Sequence, residues 1–476
     1  MDAMIMSNGS SDILHEIEKL KLEKEEIERR LSLLEAKLNR NPGEAVEMEV
    51  NRSCSSCLSM LDGHGEAVNG LNADMIYRYS RHLLLPDFGV EGQTNLAKSS
   101  ILVVGAGGLG SPILLYLASC GVGCLGIVDD DIVELNNLHR QIIHPEAFVG
   151  HPKVKSAAAS CRVRFSFRSW INSSIKLVVH NEALKGSNAL DIVSKYDIVV
   201  DATDNLPSRY MISDCCVVLD KPLISGAALG MEGQLTVYHY KGGPCYRCLF
   251  PIPPPTAACQ RCSDSGVLGV VPGVVGCLQA LEAIKVASGI GETLSGRMLL
   301  FDALSSRIRI VNIRGRSLQC VTCGPNAIFT RQMFQAFDYE GFTQSSMSDK
   351  ARPELHLLPE SSRISCKEYK AVVDNREAHV LLDVRPSHHY RITALPDSIN
   401  IPLPALEINV SLIDSSLKEA TKVSGKEASL YVVCRRGNDS QRAVEYLSKN
   451  GFPMAKDIAG GLDSWVKDVD PSFPIY

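Results

Sequence analysis

Three groups of residues in this sequence have types and spacings that could do chemistry. The first is a glycine-rich turn, Gly105-Ala-Gly107-Gly108-Leu-Gly110, which follows a predicted strand and precedes a predicted helix. Glycines let the chain turn tightly there and let phosphate groups approach the N–H groups of the helix. Asp129 follows the next predicted strand, near the spacing of a carboxylate that binds ribose hydroxyls. The turn predicts a nucleotide site, and taken alone its default interpretation is an NAD-dependent dehydrogenase.

Amides and cations that follow this turn favour a triphosphate. Lys153 lies in a His-Pro-Lys turn, and the residues before it are Asn136, Asn137, Leu138, His139 and Arg140. Cations stabilise the charge on a transferring phosphoryl group, whereas a dehydrogenase has little use for them. Surface solvation is the competing interpretation for the two cations.

Carboxylates close a third predicted strand. Asp201, Asp204 and Asn205 lie at the end of that strand, at the sheet edge where ligands of α/β folds bind. A carboxylate there can hold Mg²⁺ against the phosphates. The nucleotide site is therefore predicted to use magnesium.

Two Cys-x-x-Cys pairs form the second group, about 70 residues apart in the sequence. Each pair can place two thiolates on one cation, and four thiolates complete a tetrahedral Zn²⁺ site with no position left for water. The spacing predicts one structural zinc, with four unrelated buried cysteines as the alternative. The residues are Cys245, Cys248, Cys320 and Cys323.

Two isolated cysteines form the third group. Cys262 lies in a predicted loop beside Arg261, and a neighbouring cation lowers the pKa of a thiol. Cys262 is therefore a candidate catalytic residue, although zinc binding together with Cys259 is an alternative. Cys434 ends an apolar predicted strand and precedes a predicted helix.

The strand–loop–helix arrangement around Cys434 predicts a sulfur-transfer site. Backbone N–H groups and the helix dipole point at the sulfur, and Arg435 and Arg436 add positive charge. This predicts a lowered thiol pKa and a stabilised persulfide anion. A phosphatase needs arginine six positions after the cysteine, where Ser440 stands here. A structural cysteine is the other alternative.

The elements that must position these residues alternate between short apolar runs and amphipathic helices. This alternation is typical of a parallel sheet with helices on both faces, a Rossmann-like α/β fold. A second α/β unit, with a predicted helix from about Asp439 to Lys449, follows later. The predicted strands are Ser100–Val104, Cys124–Val128 and Asp197–Val200 in the first unit, and Val380–Asp383 and Leu430–Val433 in the second.

Four segments are predicted along the 476 residues: 1–72, 73–325, 326–360 and 361–476. They are an N-terminal helix with a linker, a first α/β domain, a second linker and a second α/β domain. Apolar residues at alternating three- and four-residue steps over residues 12–40 predict a coiled coil. An amphipathic helix docked on its own protein is the alternative. Cys54 and Cys57 are a weak metal signal in the first linker.

Composition excludes several classes of function. A net charge of −5 argues against nucleic-acid binding by bulk electrostatics. No apolar run reaches the ~18 residues of a membrane helix, and the first twelve residues fit neither a secretory signal nor a transit peptide. Sixteen cysteines without a signal peptide predict thiols, metal ligands or nucleophiles. We therefore expect a cytosolic protein with no membrane partner and no direct nucleic-acid partner.

The chain resembles the ubiquitin-activating-enzyme superfamily over roughly residues 75–325, and a rhodanese over roughly residues 360–476. It is most similar to the molybdopterin-synthase sulfurylases and their eukaryotic fusion with a rhodanese domain. The matching stretches are RYSR, GAGGLGSP, DDDIVELNNLHRQ, HPKVKSA, DATDN, SGAALGMEGQLTVY and GPCYRC, followed by DVRP, CRRGNDS and GGLDSW. Residues 162–170 look like an insertion relative to this pattern, and we assign them no physical role.

The resemblance implies a set of site residues and partners. Cys262 would bond the activated glycine of a carrier, and Cys434 would accept sulfur from a donor such as a cysteine desulfurase. The family works as a homodimer, in which Arg81 completes the neighbour's site, and it places a structural zinc at the two cysteine pairs. Nucleotide contacts are implied at Gly108, Asp129, Asn136–Arg140, Lys153, Asp204 and Asn205.

The predicted function is ATP-dependent adenylation of the C-terminal glycine of a ubiquitin-like sulfur carrier, followed by sulfur transfer to a thiocarboxylate. By resemblance, the carriers are the small subunit of molybdopterin synthase and the ubiquitin-related modifier. They serve molybdenum cofactor biosynthesis and the 2-thiolation of tRNA wobble uridine. The rival hypotheses are an NAD-dependent oxidoreductase fused to a sulfurtransferase, and a non-enzymatic scaffold stabilised by zinc.

Overall fold

A computed structural model of the chain describes residues 70–162, 171–255, 265–348 and 355–476. The chain divides into two compact units, 1–347 and 348–476. Several predictions lie outside the described residues: the coiled coil at 12–40, the pair Cys54 and Cys57, the cysteines Cys259 and Cys262, and residues 163–170 of the insertion. They stay predictions.

The first unit is an α/β fold around one large sheet. Its helices, in chain order, are α1 (Ala73–Arg78), α2 (Ser80–Leu83), α3 (Gly89–Lys98), α4 (Gly110–Cys120), α5 (Lys153–Arg162), α6 (Ala189–Val193), α7 (Leu206–Val218), α8 (Tyr246–Leu249), α9 (Val270–Ser288), α10 (Arg331–Ala336) and α11 (Tyr339–Thr343). Its strands are β1 (Ser100–Val104), β2 (Cys124–Val128), β3 (Lys176–His180), β4 (Ile198–Asp201), β5 (Leu223–Leu229), β6 (Glu232–Tyr238), β7 (Arg297–Asp302) and β8 (Arg307–Asn312).

The order of the strands creates the cleft in which the predicted nucleotide site lies. The eight strands follow the order β3-β2-β1-β4-β5-β6-β7-β8. The first five of these run parallel, and β6 to β8 continue the sheet antiparallel. The chain leaves β1 in one direction towards β2 and later returns to its other side as β4, so the order reverses between β1 and β4. Ligands of open α/β sheets bind at such a switch point, beyond the carboxyl ends of the strands.

Burial explains why the central strands read as continuous apolar runs. All five residues of β2 and all four of β4 are buried, because helices cover both faces of a parallel sheet. The predicted strands at Ser100–Val104 and Cys124–Val128 are confirmed, and the third strand begins one residue later than predicted. The Rossmann-like architecture predicted from the sequence is therefore confirmed.

Helix α9 bears on the prediction that no apolar run is as long as a membrane helix. It has 19 residues, and among the described residues it is the one helix whose length and composition would allow it to cross a membrane. Gln279, Glu282 and Lys285 interrupt it, so it is not an uninterrupted apolar run of the kind that the sequence analysis considered. The side chains of Gln279 and Glu282 are buried and hydrogen-bonded. Gln279 Nε2 donates to the Asp201 main-chain oxygen at 2.7 Å, and the Glu282 carboxylate accepts the Leu294 N–H at 2.8 Å. Core helices of folded domains pass the same test.

The start of the predicted second linker is folded. Residues 326–347 contain α10 and α11, and Phe334 and Tyr339 are fully buried against the first unit. Residues 326–347 were predicted to be a linker because the few aromatic residues that pack against the unit are separated by polar residues. The described part of this linker thus belongs to the first unit as far as Met347.

A buried arginine joins these helices to the rest of the unit. The Arg247 guanidinium donates hydrogen bonds of 2.8 to 3.0 Å to Asp214 on α7. It also lies 4.7 Å from the centre of the Phe342 ring and 4.9 Å from that of Phe337. Tyr339 donates a hydrogen bond of 3.0 Å to the same carboxylate. Burial raises the pKa of Asp214, and the bonds from Arg247 oppose that rise.

The second unit is a smaller parallel α/β fold. Its five strands follow the order β11-β10-β12-β13-β9, and all neighbouring pairs are parallel. The helices are α12 (Cys366–Asp374), α13 (Ser387–Tyr390), α14 (Val410–Ser424), α15 (Asp439–Lys449) and α16 (Gly461–Asp468). The strands are β9 (Arg363–Ile364), β10 (His379–Asp383), β11 (Ile399–Asn400), β12 (Ser429–Val433) and β13 (Lys456–Ile458). The two strands and the helix predicted for this unit are confirmed.

Replacing Asp214 with alanine should destabilise the first unit by roughly 3–5 kcal/mol, because the Arg247 charge then stays buried without its carboxylate. The measurement is the calorimetric unfolding transition of the full chain. Asp220→Ala is the matched control, since Asp220 is 96% exposed in its pair with His239 and should cost less than about 1 kcal/mol. Equal shifts for the two variants would contradict this account.

Candidate functional site

The glycine turn between β1 and α4 has a shape that larger residues cannot adopt. Gly105 has a φ of +101°, and a side chain there would lie 2.8 Å from the main-chain oxygen of Ala202 at the end of β4. A side chain at Gly110 would collide with the main-chain oxygen of Gly105. Gly108 lies against Pro272 in the first turn of α9. The turn therefore presents bare backbone at the switch point, as a phosphate site requires.

The half-buried Asp129 and the buried His144 hold the peptide groups of Ala106 inside this turn. The Ala106 N–H donates to Asp129 Oδ2 at 2.7 Å, and its carbonyl oxygen lies 2.8 Å from His144 Nε2. His144 Nδ1 lies 3.0 Å from the Ser156 hydroxyl on α5. Burial lowers the pKa of His144, and because a carbonyl oxygen can only accept, Nε2 carries the proton of this hydrogen bond. His144 thus links the glycine turn to the helix that begins with Lys153.

Lys153 lies among three carboxylates at this edge of the sheet. Its Nζ is 3.0 Å from Asp131 Oδ2, in a pair whose lysine is buried and whose aspartate is half exposed. Burial alone would lower the pKa of Lys153, but Asp129, Asp131 and Asp204 outweigh it and the pKa is raised. The lysine is therefore a fixed cation, and an entering triphosphate can compete with Asp131 for it.

Asp129 has a further structural role. Its second oxygen accepts the Asp131 N–H at 2.9 Å, so both oxygens hold backbone. Burial raises its pKa, and Lys153 opposes that rise. The residue predicted to bind ribose also fixes the walls of the cleft.

The remaining predicted nucleotide residues surround the same cleft. Arg140 Nη1 donates to the Asn136 main-chain oxygen at 3.0 Å, and burial and the Arg140 charge lower the pKa of His139. Asn137 is buried and donates to the Asn136 side chain, and Leu138 follows in the same turn. The five residues Asn136, Asn137, Leu138, His139 and Arg140 thus form one compact turn beside the glycines.

The residues after β4 divide into structural and exposed groups. Asp201 is buried and accepts hydrogen bonds from Thr203 and Ser225, which makes it a structural carboxylate. Asp204 is exposed and acts on the Lys153 charge. Asn205 caps helix α7 by accepting the Ser208 N–H at 3.0 Å. Arg81 is exposed on α2.

The four cysteines of the two Cys-x-x-Cys pairs meet in one buried cluster. Their sulfur atoms all lie within 4.8 Å of one another, with separations of 3.7 Å for Cys245–Cys248, 3.6 Å for Cys245–Cys320 and 3.3 Å for Cys248–Cys323. A tetrahedron of thiolates around zinc, with Zn–S bonds of ~2.3 Å, has sulfur–sulfur edges of about 3.8 Å. The cluster can therefore hold a metal ion.

Cys434 lies at the end of β12, at the bottom of a loop that we call the sulfur loop, residues 434–440. Its sulfur accepts the Gly437 N–H at 3.1 Å and lies 3.2 Å from the Ser440 hydroxyl. The backbone N–H groups of Arg436 and Ser440 also point at it. The predicted cradle of N–H groups is present.

The predicted pKa of the Cys434 thiol was wrong in direction. Burial raises it, and the hydrogen bonds from Ser440 only partly oppose the rise. The two arginines that were expected to help point elsewhere, Arg435 to Tyr476 and Arg436 to Asp463 at 3.5 Å. The loop therefore directs backbone N–H groups and the Ser440 hydroxyl at the sulfur.

Comparisons with known proteins match both units. A model of the ThiF family matches residues 79–322, and a rhodanese-like domain model matches residues 365–468. The chain is 63% identical over 473 residues to "adenylyltransferase and sulfurtransferase MOCS3-2" of Zea mays, covering 98% of this chain and 96% of that protein. It is 64% identical over 479 residues to the MOCS3 protein of Arabidopsis thaliana, covering 99% of this chain and all of the relative. The chain belongs to the MOCS3 family.

Family membership agrees with the presence of both candidate sites in this chain. A MOCS3 protein of Sus scrofa is 47% identical over 417 residues, covering 85% of this chain and 89% of that protein. Members of this family are named for two activities, and the chain carries one fold for each. The family resemblance predicted from the sequence is therefore confirmed.

Sequence reasoning missed several residues that shape these sites. Asp131 pairs with Lys153, and His144 holds the glycine turn. Asp131 could have been found, since it lies in the same acidic run as Asp129. Ser440 was used only to reject a phosphatase, yet its hydroxyl contacts the Cys434 sulfur. Nothing in the spacing pointed to Tyr476.

The raised pKa of Cys434 has a direct consequence for its reactivity. In sulfur-free protein, the rate at which iodoacetamide alkylates Cys434 should reach half its maximum at a higher pH than for free cysteine. Ser440→Ala should move this midpoint higher still, because the variant removes a hydrogen bond that favours the thiolate. The measurement is the pH dependence of alkylation, followed by mass spectrometry of the Cys434 peptide. A midpoint below that of free cysteine would contradict the burial argument.

Proposed function

We propose that this chain adenylates the C-terminal glycine of a ubiquitin-like sulfur carrier with ATP and then converts it to a thiocarboxylate with sulfur held on Cys434. The observation that carries the proposal is the pairing of two different anion sites in one family member. One is the glycine turn with Lys153, and the other is the N–H cradle of the sulfur loop. The products would serve molybdenum cofactor biosynthesis and the thiolation of tRNA wobble uridine.

In the first step the glycine carboxylate attacks the α-phosphorus of ATP, and pyrophosphate leaves with the bonding electrons. The N–H groups of the glycine turn and the fixed charge of Lys153 face the phosphates and stabilise the charge that builds up on them. Arg140 adds a second cation beside the turn. Asp204 is exposed at the same edge and would hold Mg²⁺, which when bound neutralises phosphate charge.

In the second step the terminal sulfur of the Cys434 persulfide attacks the acyl carbon and AMP leaves. This gives an acyl disulfide between the carrier and Cys434. A thiol then attacks the Cys434 sulfur and releases the carrier as a thiocarboxylate, leaving a disulfide for a cellular thiol to reduce. We propose Cys262 as that resolving thiol. The N–H groups around Cys434 stabilise the persulfide anion before the attack.

Four further proposals follow from the same family pattern. The metal of the four-cysteine cluster is a structural Zn²⁺, since four thiolates leave no open position. The active form is a homodimer in which Arg81 of each subunit reaches the other subunit's nucleotide. The sulfur donor is a cysteine desulfurase or another persulfide source. The protein acts in the cytosol.

The proposed division of roles predicts opposite effects on the two steps. Cys434→Ala should keep ATP–pyrophosphate exchange with a carrier that ends in Gly-Gly, and should form no thiocarboxylate. Lys153→Ala should lower the exchange rate by about 100-fold or more, since it removes a cation that faces the transferring group. The measurements are pyrophosphate exchange and mass spectrometry of the carrier.

Lys155→Ala is the matched control for Lys153, because Lys155 is an exposed lysine on the same helix. It should exchange pyrophosphate at the wild-type rate. If Cys434→Ala lost both activities while remaining folded, the assignment of one step to each unit would fail. Thermal shifts with NAD but not with ATP would favour the oxidoreductase alternative.

The zinc proposal makes a separate prediction. Metal analysis of the purified chain should find about one zinc per chain, and a chelator strong enough to remove it should unfold the surrounding region. Cys320→Ser should lose the metal, whereas Cys277→Ser, a partly exposed cysteine outside the cluster, should keep it. Active, folded protein without zinc would refute the assignment.

A further inference from the structure

The sulfur loop is joined to a distant part of the second unit by one aromatic residue. Tyr476 lies with its ring 4.7 Å from the Arg435 guanidinium and 5.7 Å from that of Arg385. Arg385 Nη1 donates a hydrogen bond of 2.8 Å to the phenol oxygen, and Arg435 Nη2 donates to the main-chain oxygen of Tyr476. His389 packs edge-on against the same ring at 5.5 Å. Tyr476 thus contacts both arginines and connects them.

One end of this link is a fixed point. Arg385 is buried at 2% exposure and donates two hydrogen bonds of 2.9 Å to Asp383, at the end of β10. It also donates to the Thr393 main-chain oxygen at 2.7 Å. Because all these partners are part of the folded core, Arg385 cannot move without breaking a buried ion pair. Tyr476 is therefore attached to a rigid anchor.

The other end of the link is the residue next to the reactive sulfur. Arg435 follows Cys434, and its main-chain oxygen accepts the Asp463 N–H at 2.9 Å. The Cys434 main-chain oxygen accepts the Leu462 N–H at 3.0 Å, so the backbone of α16 is hydrogen-bonded to the first two residues of the loop. The Arg435 side chain, held by Tyr476, gives the loop a second attachment. A cation placed over an aromatic ring is stabilised most where water is excluded.

We propose that Tyr476 is a positioning residue for sulfur transfer: by holding Arg435 against Arg385, it keeps the sulfur loop in the shape that points its N–H groups at Cys434. The inference rests on the proposed sulfur-transfer function and goes beyond it, because it assigns the geometry of the loop to a residue that never touches the sulfur. It also accounts for the direction of the Arg435 side chain, which faces Tyr476.

The test uses the full chain with thiosulfate as donor and cyanide as acceptor. The Cys434 thiolate attacks the outer sulfur of thiosulfate, the S–S bond breaks and sulfite leaves with the electron pair. Cyanide then takes the terminal sulfur as thiocyanate, and the thiolate returns. Thiocyanate formation measures the loop without a carrier or ATP.

Tyr476→Ala should lower kcat by about tenfold, equivalent to ~1.4 kcal/mol in the barrier. Tyr476→Phe keeps the ring over both arginines and should lose about twofold or less, consistent with a single lost hydrogen bond outside the reaction. Tyr476→Leu keeps apolar packing without a π face and should behave like alanine. This rescue by phenylalanine, and not by leucine, distinguishes positioning of Arg435 from simple filling of space.

A double-mutant cycle identifies the residue through which Tyr476 acts. Arg435→Ala should lower kcat, and adding Tyr476→Ala to it should cost less than about twofold more, because contacting residues are not additive. Ile475→Ala is the matched control, since Ile475 is 72% exposed beside Tyr476. It should keep the wild-type rate, and every variant should keep ATP–pyrophosphate exchange.

The outcomes separate the two hypotheses. If wild-type protein forms no thiocyanate, the sulfur-transfer function itself fails. If wild-type protein is active and Tyr476→Ala matches it in kcat, the positioning role is overturned. Additive losses in the Arg435 cycle, or equal rates for the leucine and phenylalanine variants, would overturn it as well.

Discussion

Both sites of this chain depend on one property of parallel sheets: strands deliver their carboxyl ends to a common edge, and the helices that follow begin there with unpaired N–H groups. In the first unit the glycine turn leads from β1 into α4. In the second unit the sulfur loop leads from β12 into α15. Each turn gathers backbone donors around an anion. Under the proposed function the two reactions differ, but each charged species is stabilised by backbone N–H groups at the end of a parallel strand.

The sequence was sufficient wherever the pattern was local. Apolar runs predicted the strands, the glycines predicted the turn between β1 and α4, and the Cys-x-x-Cys pairs predicted the four-cysteine cluster. Each of these features depends on neighbours in the chain or on a distinctive pair of residues. It failed where a distant residue decided the outcome. The pKa of Cys434 was predicted in the wrong direction since the partners of Arg435 and Arg436, Tyr476 and Asp463, lie far along the sequence. Burial of the sulfur then decided the sign.

The folded start of the predicted linker was missed for a related reason. Residues 326–347 read as polar, and the aromatic residues among them have no helical period that would predict packing. Their packing role becomes clear only from their contacts with Arg247, which lies between Cys245 and Cys248 and is hydrogen-bonded to Asp214. Rings from this segment close over the guanidinium. The four-cysteine cluster, helix α7 and the helices α10 and α11 therefore form one connected structure around a buried ion pair.

The hydrogen bonds to the peptide groups of Ala106 affect how the glycine turn would bind a nucleotide. The N–H is held by Asp129 and the carbonyl by His144, so the glycine turn is fixed on both sides before any ligand arrives. Flexible glycine segments usually lose conformational entropy when they close on a phosphate. Here that loss is incurred during folding, since the side chains of Asp129 and His144 order the turn in advance. This ordering lowers the free energy of unfolding somewhat, and it leaves the turn in its binding conformation before a nucleotide arrives.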